Sequence, residues 1–213
     1  MSAAELDGGT AERIRAAVAE AEARSGGEIV PVLLPESDDY EAAYWKGAAL
    51  GGLLAEALVA VWAGGSWLLG SAWLIASGAA GALGGALAAL AIPALRRGLA
   101  GGERLRRRVE QRSSECFVAH EVFRTRERTG ILILVSRFER RVAVLADEGI
   151  RSRVPDSTWA TLASDIAGRV RREGAGPALL AAVQRAGDLL AEQGPPRRAD
   201  DRNELPDRPR SAP

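Results

Sequence analysis

Hydrophobic positions along the chain fall into three kinds of pattern. Over residues 10–25, Ile14, Val18 and Ala21 recur on one face with Glu and Arg opposite, the spacing of an amphipathic helix. Ser25-Gly26-Gly27 ends it, glycine being common just past a helix. Three runs are instead continuously apolar and β-branched: 28–34, 130–136 and 141–146. The first reads as a strand that Pro31 restricts to an edge or a bulge. The second reads as a strand buried on both faces. Residues 137–140 turn it into the third, its antiparallel partner. Helical spacing returns three more times. A helix over about 101–125 places Leu105, Val109, Cys116, His120 and Phe123 on one side. A helix over 157–173, capped by Asp156 or Ser157, carries Trp159, Leu162, Ala163, Ile166 and Val170. A last one runs from Pro177 to about Ala191 with Leu179, Val183, Ala186 and Leu190. Beyond Gly194 apolar residues are few, and disorder is expected over 194–213.

One stretch obeys neither period. From Gly47 to Leu95 the only charged residue is Glu56. A helix crosses the hydrocarbon core in about 20 residues, so this length suits two spans, near 45–62 and 68–93, with a turn at Ala63-Gly64-Gly65-Ser66. Trp62 and Trp67 flank that turn as aromatic side chains do at a membrane interface, and Pro93 offers an exit. Small residues four apart, Gly47 with Gly51, Ala48 with Gly52 and Gly81 with Gly85, suit close packing of membrane helices. Glu56, near the middle of the first span, is read as protonated or facing Ser71 or Ser77. Lys46 precedes the first span and a run of arginines from Arg96 follows the second, while the turn has no basic residue. The positive-inside rule then puts both flanks in the cytoplasm, and part of the arginine cluster suits anionic lipid head groups. The first 40 residues are charged, with no apolar stretch of the kind a leader peptide carries, so an internal segment is expected to direct membrane entry.

The organisation that follows is an interrupted one. Residues 1–40 supply a first helix and strand, too little to fold alone; 41–98 form the transmembrane hairpin; 99–193 supply the rest of an α/β domain. The fold class is therefore α/β, a small mixed sheet sandwiched by helices and interrupted by a two-helix transmembrane hairpin.

Composition narrows the function. Lys+Arg and Asp+Glu both total 28, a balance that argues against a nucleic-acid partner. With one cysteine, Cys116, and one histidine, His120, neither a disulfide framework nor a zinc site is expected. Those two lie one helical turn apart and fit core packing better than a thiolate–imidazole pair. Arg124, Arg126 and Arg128 precede the central strand, where an exposed helix end accounts for them better than a phosphate site. No glycine-rich phosphate loop, nucleophile elbow or HExxH motif is present.

The order of short motifs carries a resemblance. Ser25-Gly26-Gly27-Glu28-Ile29-Val30 follows the first helix. Then come Arg128-Thr129-Gly130-Ile131-Leu132-Ile133-Leu134-Val135-Ser136, Glu139-Arg140-Arg141-Val142, Asp147-Glu148-Gly149-Ile150 and Trp159. Over about 10–35 and 101–192 this arrangement resembles the TPM domain family, in particular its short bacterial branch of membrane proteins. The resemblance implies a compact α/β sandwich tethered to a membrane. It also implies a choice of roles, since family members are described as phosphatase-like or calcium-binding, and others as helpers in the assembly of membrane complexes. The acidic positions that match the family's motifs are Glu28 and Asp147.

Two readings follow. Asp147 and Glu148 sit at a strand end, where ligand sites of α/β sheets tend to lie. With Glu28, if its strand lay beside 141–146, they would offer oxygen ligands to Ca²⁺ or Mg²⁺, the basis of a divalent-metal-dependent phosphoester hydrolase. The favoured reading is a membrane-anchored, non-enzymatic accessory domain at the bacterial inner membrane, both termini and the α/β domain cytoplasmic, with the lipid bilayer and a protein as its partners.

Overall fold

The computed structural model describes residues 6–62, 71–197 and 203–210. They form two compact units, one made of 1–37 with 106–213 and the other of 38–105.

The first unit is built on a mixed three-stranded sheet. The strands β1 (Glu28–Leu34), β2 (Gly130–Ser136) and β3 (Arg141–Ala146) lie in the order β1-β2-β3. β1 pairs parallel with β2, and β2 pairs antiparallel with β3. Every residue of β1 and β2 is buried, whereas β3 is half-buried throughout. Alternate side chains go to opposite faces of a strand, and each face here has its own core. Ile29, Leu33, Ile131, Ile133 and Val135 pack against α1 (Gly8–Arg24), α7 (Asp156–Glu173) and α8 (Ala175–Gln193). Val30, Val32, Leu34, Leu132 and Leu134 pack against Val109 and Cys116 of α5 (Gly102–Ala119). Burying one such side chain is worth about 1.5–3 kcal/mol, so a strand buried on both faces is fixed in register from both sides. A single turn, α6 (Glu148–Arg151), links β3 to α7 and buries Ile150.

Several ends depart from the sequence-based expectation. The helix expected over 101–125 stops at Ala119. Glu121 takes φ 54°, its N–H donates to Val118 O (3.0 Å), and Val122 N–H donates to Phe117 O (3.1 Å). These are the two bonds of a Schellman stop, made here without the glycine that would signal it. Gly130 explains the next turn: the Val122 carbonyl lies where a Cβ would stand. The segment 203–210 departs from the expected disorder of 194–213. It lies along β1, with Arg210 N–H donating to Pro31 O (2.9 Å) and Leu33 N–H to Arg210 O (3.0 Å). Leu205 is buried in the α5-side core. Proline has no N–H to give a neighbouring strand, and Pro31 turns its carbonyl toward this segment at the sheet edge.

The second unit holds α2 (Glu41–Trp62), α3 (Ser71–Ala91) and the short α4 (Pro93–Ala100). Ile92 breaks α3 from α4, and Pro93 opens the latter. The turn expected at 63–66, with Trp67, lies outside the described residues. α2 and the Trp73–Ala91 part of α3 are long and apolar enough to cross a membrane, with mean hydropathy 1.2 and 1.8. Their large side chains, among them Leu53, Leu58, Val61, Trp62, Trp73 and Ile75, are exposed. What these helices bury is a seam of small residues. The Gly47 carbonyl occupies the place of a Cβ on Gly85, as the Gly81 carbonyl does for Gly51, so the two backbones touch. The polar residues at the foot of the pair are tied together: Arg96 to the Tyr44 hydroxyl (2.7 Å), Lys46 to Leu99 O (2.8 Å) and Arg104 to Asp38 (3.2 Å).

Candidate functional site

The acidic residues singled out by sequence share one end of the sheet without meeting. Glu28 is level with Gly130, and Gly130 O accepts from Asp147 N–H at 2.9 Å. β2 therefore stands between Glu28 and Asp147, two strand spacings or roughly 9–10 Å across the sheet. The arrangement in which 28–34 lies beside 141–146 does not occur, because the buried run 130–136 takes the centre.

Each buried carboxylate already has protein partners. Glu28 accepts from the backbone N–H groups of Glu204 (3.3 Å) and Leu205 (3.2 Å). Asp147 Oδ1 caps α6 by accepting from Glu148 N–H (2.7 Å) and also takes Arg128 Nη2 (3.0 Å). Its Oδ2 lies 2.7 Å from Arg128 Nε, an ion pair without the alignment of a hydrogen bond. Glu148 points out to solvent, and Asp156 pairs with Arg151 at 2.9 Å. An open cleft of about 790 Å³ lies over this strand end, with Phe117, Leu145, Arg128, Asp147, Glu148 and Arg151 in its walls. A calcium ion collects about 6–8 oxygens, yet among the described residues no three His, Cys, Asp or Glu stand together as metal ligands. The fold thus keeps Glu28 on the far side of β2 from Asp147 and Glu148.

The remaining candidates resolve in the same way. Cys116 is fully buried, and burial pushes its thiol up from the ordinary value, the opposite of what a reactive thiolate needs. His120 gives its backbone carbonyl to Arg210 (3.2 Å). Arg124 pairs with Glu121 (2.8 Å), and the Arg126 N–H donates to Glu204 (2.8 Å). Glu56 lies against Gly78 across the helix pair, while the Ser77 hydroxyl turns back to Leu74 O.

A second feature was hidden from the sequence because strand order was. β3 is an edge. Asp147 and Gly130 form a hydrogen-bonded pair, and antiparallel pairs alternate, so Leu145, Ala143 and Arg141 bond to β2. The N–H and C=O groups of Val142, Val144 and Ala146 then face away from the sheet. A groove of about 600 Å³ runs along them, between Val109 and Ser113 of α5 and Trp159, Ala160, Ala163 and Ala167 of α7. Trp159 is 2 % exposed, and its Nε1 has no acceptor among the described residues.

The model of the TPM domain matches residues 85–189 of this chain. Those residues are a TPM domain. The match takes in β2, β3 and helices α4 to α7, with most of α8. α1 and β1 lie before it, yet they share the compact unit of the TPM domain. The TPM fold also resembles a solved structure, the NMR structure of the BA42 protein from the psychrophilic bacterium Bizionia argentinensis. The likeness covers 100% of both chains at 18% sequence identity and a TM-score of 0.58, and it speaks for the fold alone. No curated protein matches the chain.

Proposed function

We propose that this TPM domain is a membrane-anchored, non-enzymatic interaction or assembly factor. The observation that carries the reading is how its acidic strand end is used. Both buried carboxylates that a hydrolase would turn to a metal are committed within the protein, Glu28 to two backbone amides and Asp147 to Arg128 and the start of α6. Anchoring rests on the two apolar helices and their exposed leucines and tryptophans, a face that suits lipid better than water. The basic flanks at Lys46 and Arg96–Arg108 support a bacterial inner-membrane location with both termini and the α/β unit cytoplasmic.

The competing reading, a Ca²⁺- or Mg²⁺-dependent phosphoester hydrolase, has the cleft beside Asp147 in its favour. Full-length protein in mild detergent separates the two. Affinity purification under stoichiometric conditions is expected to return a reproducible protein partner. Hydrolysis of p-nitrophenyl phosphate with either cation is expected to stay at the level of an Asp147→Asn variant. Metal-dependent turnover lost in that variant, with no partner recovered, would replace this reading with the hydrolase.

A further inference from the structure

We infer that the edge of β3 takes up an extended, acidic segment of a partner protein as a fourth strand. The inference rests on the interaction reading above and names the surface and the chemistry it takes. The two edges of the sheet are treated differently by the chain. On the β1 side, Ile29 N–H goes to Glu22 (2.9 Å), and Pro31 and Leu33 bond to Arg210. On the β3 side the outward groups of Val142, Val144 and Ala146 have no partner among the described residues. Exposed edges are aggregation hazards that proteins blunt with charge, proline or a covering element. This one holds no proline, no described residue bonds to its outward groups, and Val142, Val144 and Ala146 are uncharged.

The shape selects a single strand. β3 is half-buried along its whole length because α5 and α7 rise on either side of it. Ala160, Ala163, Ala167 and Gly168 keep the α7 wall low in bulk, which leaves room for alternate side chains of an added strand. The described end of this chain, 203–210, already lies on the opposite edge.

Charge selects the sequence of the guest. Four arginines, Arg106, Arg140, Arg141 and Arg171, line the groove against two acids, Glu110 and Asp156. Glu110 is paired with Arg106 (2.7 Å) and Asp156 with Arg151 (2.9 Å). Arg140 directly precedes β3 and Arg171 stands in the last turn of α7, so basic charge gathers at that end of the groove. An extended segment with β-branched residues along the edge and carboxylates at that end meets both features.

The test is peptide display on full-length protein in detergent, followed by affinity measurement of a fluorescein-labelled consensus peptide. Acidic, β-branched binders are expected, with the Val142, Val144 and Ala146 amides slowed about tenfold or more in hydrogen exchange. Val144→Pro removes one outward donor and no bond to β2; it is expected to lose binding about tenfold or more. Arg140→Glu with Arg171→Glu, both surface changes, is expected to weaken the acidic peptide and spare a neutralised one. A peptide N-methylated at alternate amides tests the strand bonds without altering this protein. No binder at all, basic or helical binders, or equal binding to the proline variant and the N-methyl peptide would overturn the inference. A native partner still captured by Val144→Pro would leave the interaction function standing and remove this edge from it.

Discussion

At the scale of single residues, the chemistry that sequence reading assembled from types and spacing depended on which side chains meet. Glu28, Asp147 and Glu148 were legible as acidic residues at strand ends, and they are there. Their partners were not legible. Asp147 meets Arg128, 19 positions away, and Glu28 meets amides 176 and 177 positions away, in a segment whose composition reads as disordered. Cys116 was legible, because a cysteine on the apolar stripe of a helix is normally core. It carries a prediction. Burial raises its thiol above the ordinary value of 9.0, so the folded state holds that proton more tightly than the unfolded chain does. The contribution to stability is full below the unfolded thiol's pKa and is lost as pH climbs through the folded one. Native protein at pH 8 is therefore expected to resist iodoacetamide, and to be alkylated at Cys116 once unfolded in urea. Mass spectrometry of both samples decides it, and rapid native labelling would show that the thiol is accessible.

At the scale of elements, periodicity did well wherever one face is buried. The strands at 28–34, 130–136 and 141–146 occur with those bounds, since a one-residue slip would turn both cores inside out. It failed where local geometry ends an element without a signature residue. Glu121 closes α5 in a left-handed conformation that glycine usually supplies, so the stripe seemed to run on through Phe123. The seam of the apolar pair was legible in its glycine spacing, and the structure makes it quantitative. Gly85 meets the Gly47 backbone where a Cβ would stand, whereas Gly84, next to it, has open space. Gly85→Leu forces two helix backbones apart and is expected to cost at least the roughly 1–3 kcal/mol of an overpacked core. Gly84→Leu is expected to be neutral. Melting temperatures in mild detergent compare the pair, and equal values would mean that α2 and α3 do not pack through this seam.

At the scale of the whole molecule, the sequence reads as one domain with an insertion, and the chain folds as two units crossed by the polypeptide at 37–38 and again within α5. What could be inferred without a structure was the logic of the insertion: a segment with Glu56 alone among apolar residues cannot share the water-facing pattern of its surroundings. What had to be seen was that the two flanks, Glu28–Leu34 and Gly130–Ser136, pair directly and in parallel. Parallel neighbours need a long connection, and here that connection contains both apolar helices. This arrangement makes topology a consequence of the fold. The parallel pair holds both flanks in one unit, so an apolar pair inserted as proposed would leave the membrane with both ends on the same side. The arginines after Arg96 would then favour the cytoplasmic side, as proposed above. In a Cys116→Ala background, Ser157→Cys, on an exposed position of α7, is expected to react with a membrane-impermeant maleimide only after spheroplasts are opened. Ser66→Cys, in the turn expected between the spans, is expected to react from outside. Both sites labelled from outside would reverse the orientation, and full release of the protein by alkaline carbonate would show that the apolar pair is not inserted at all.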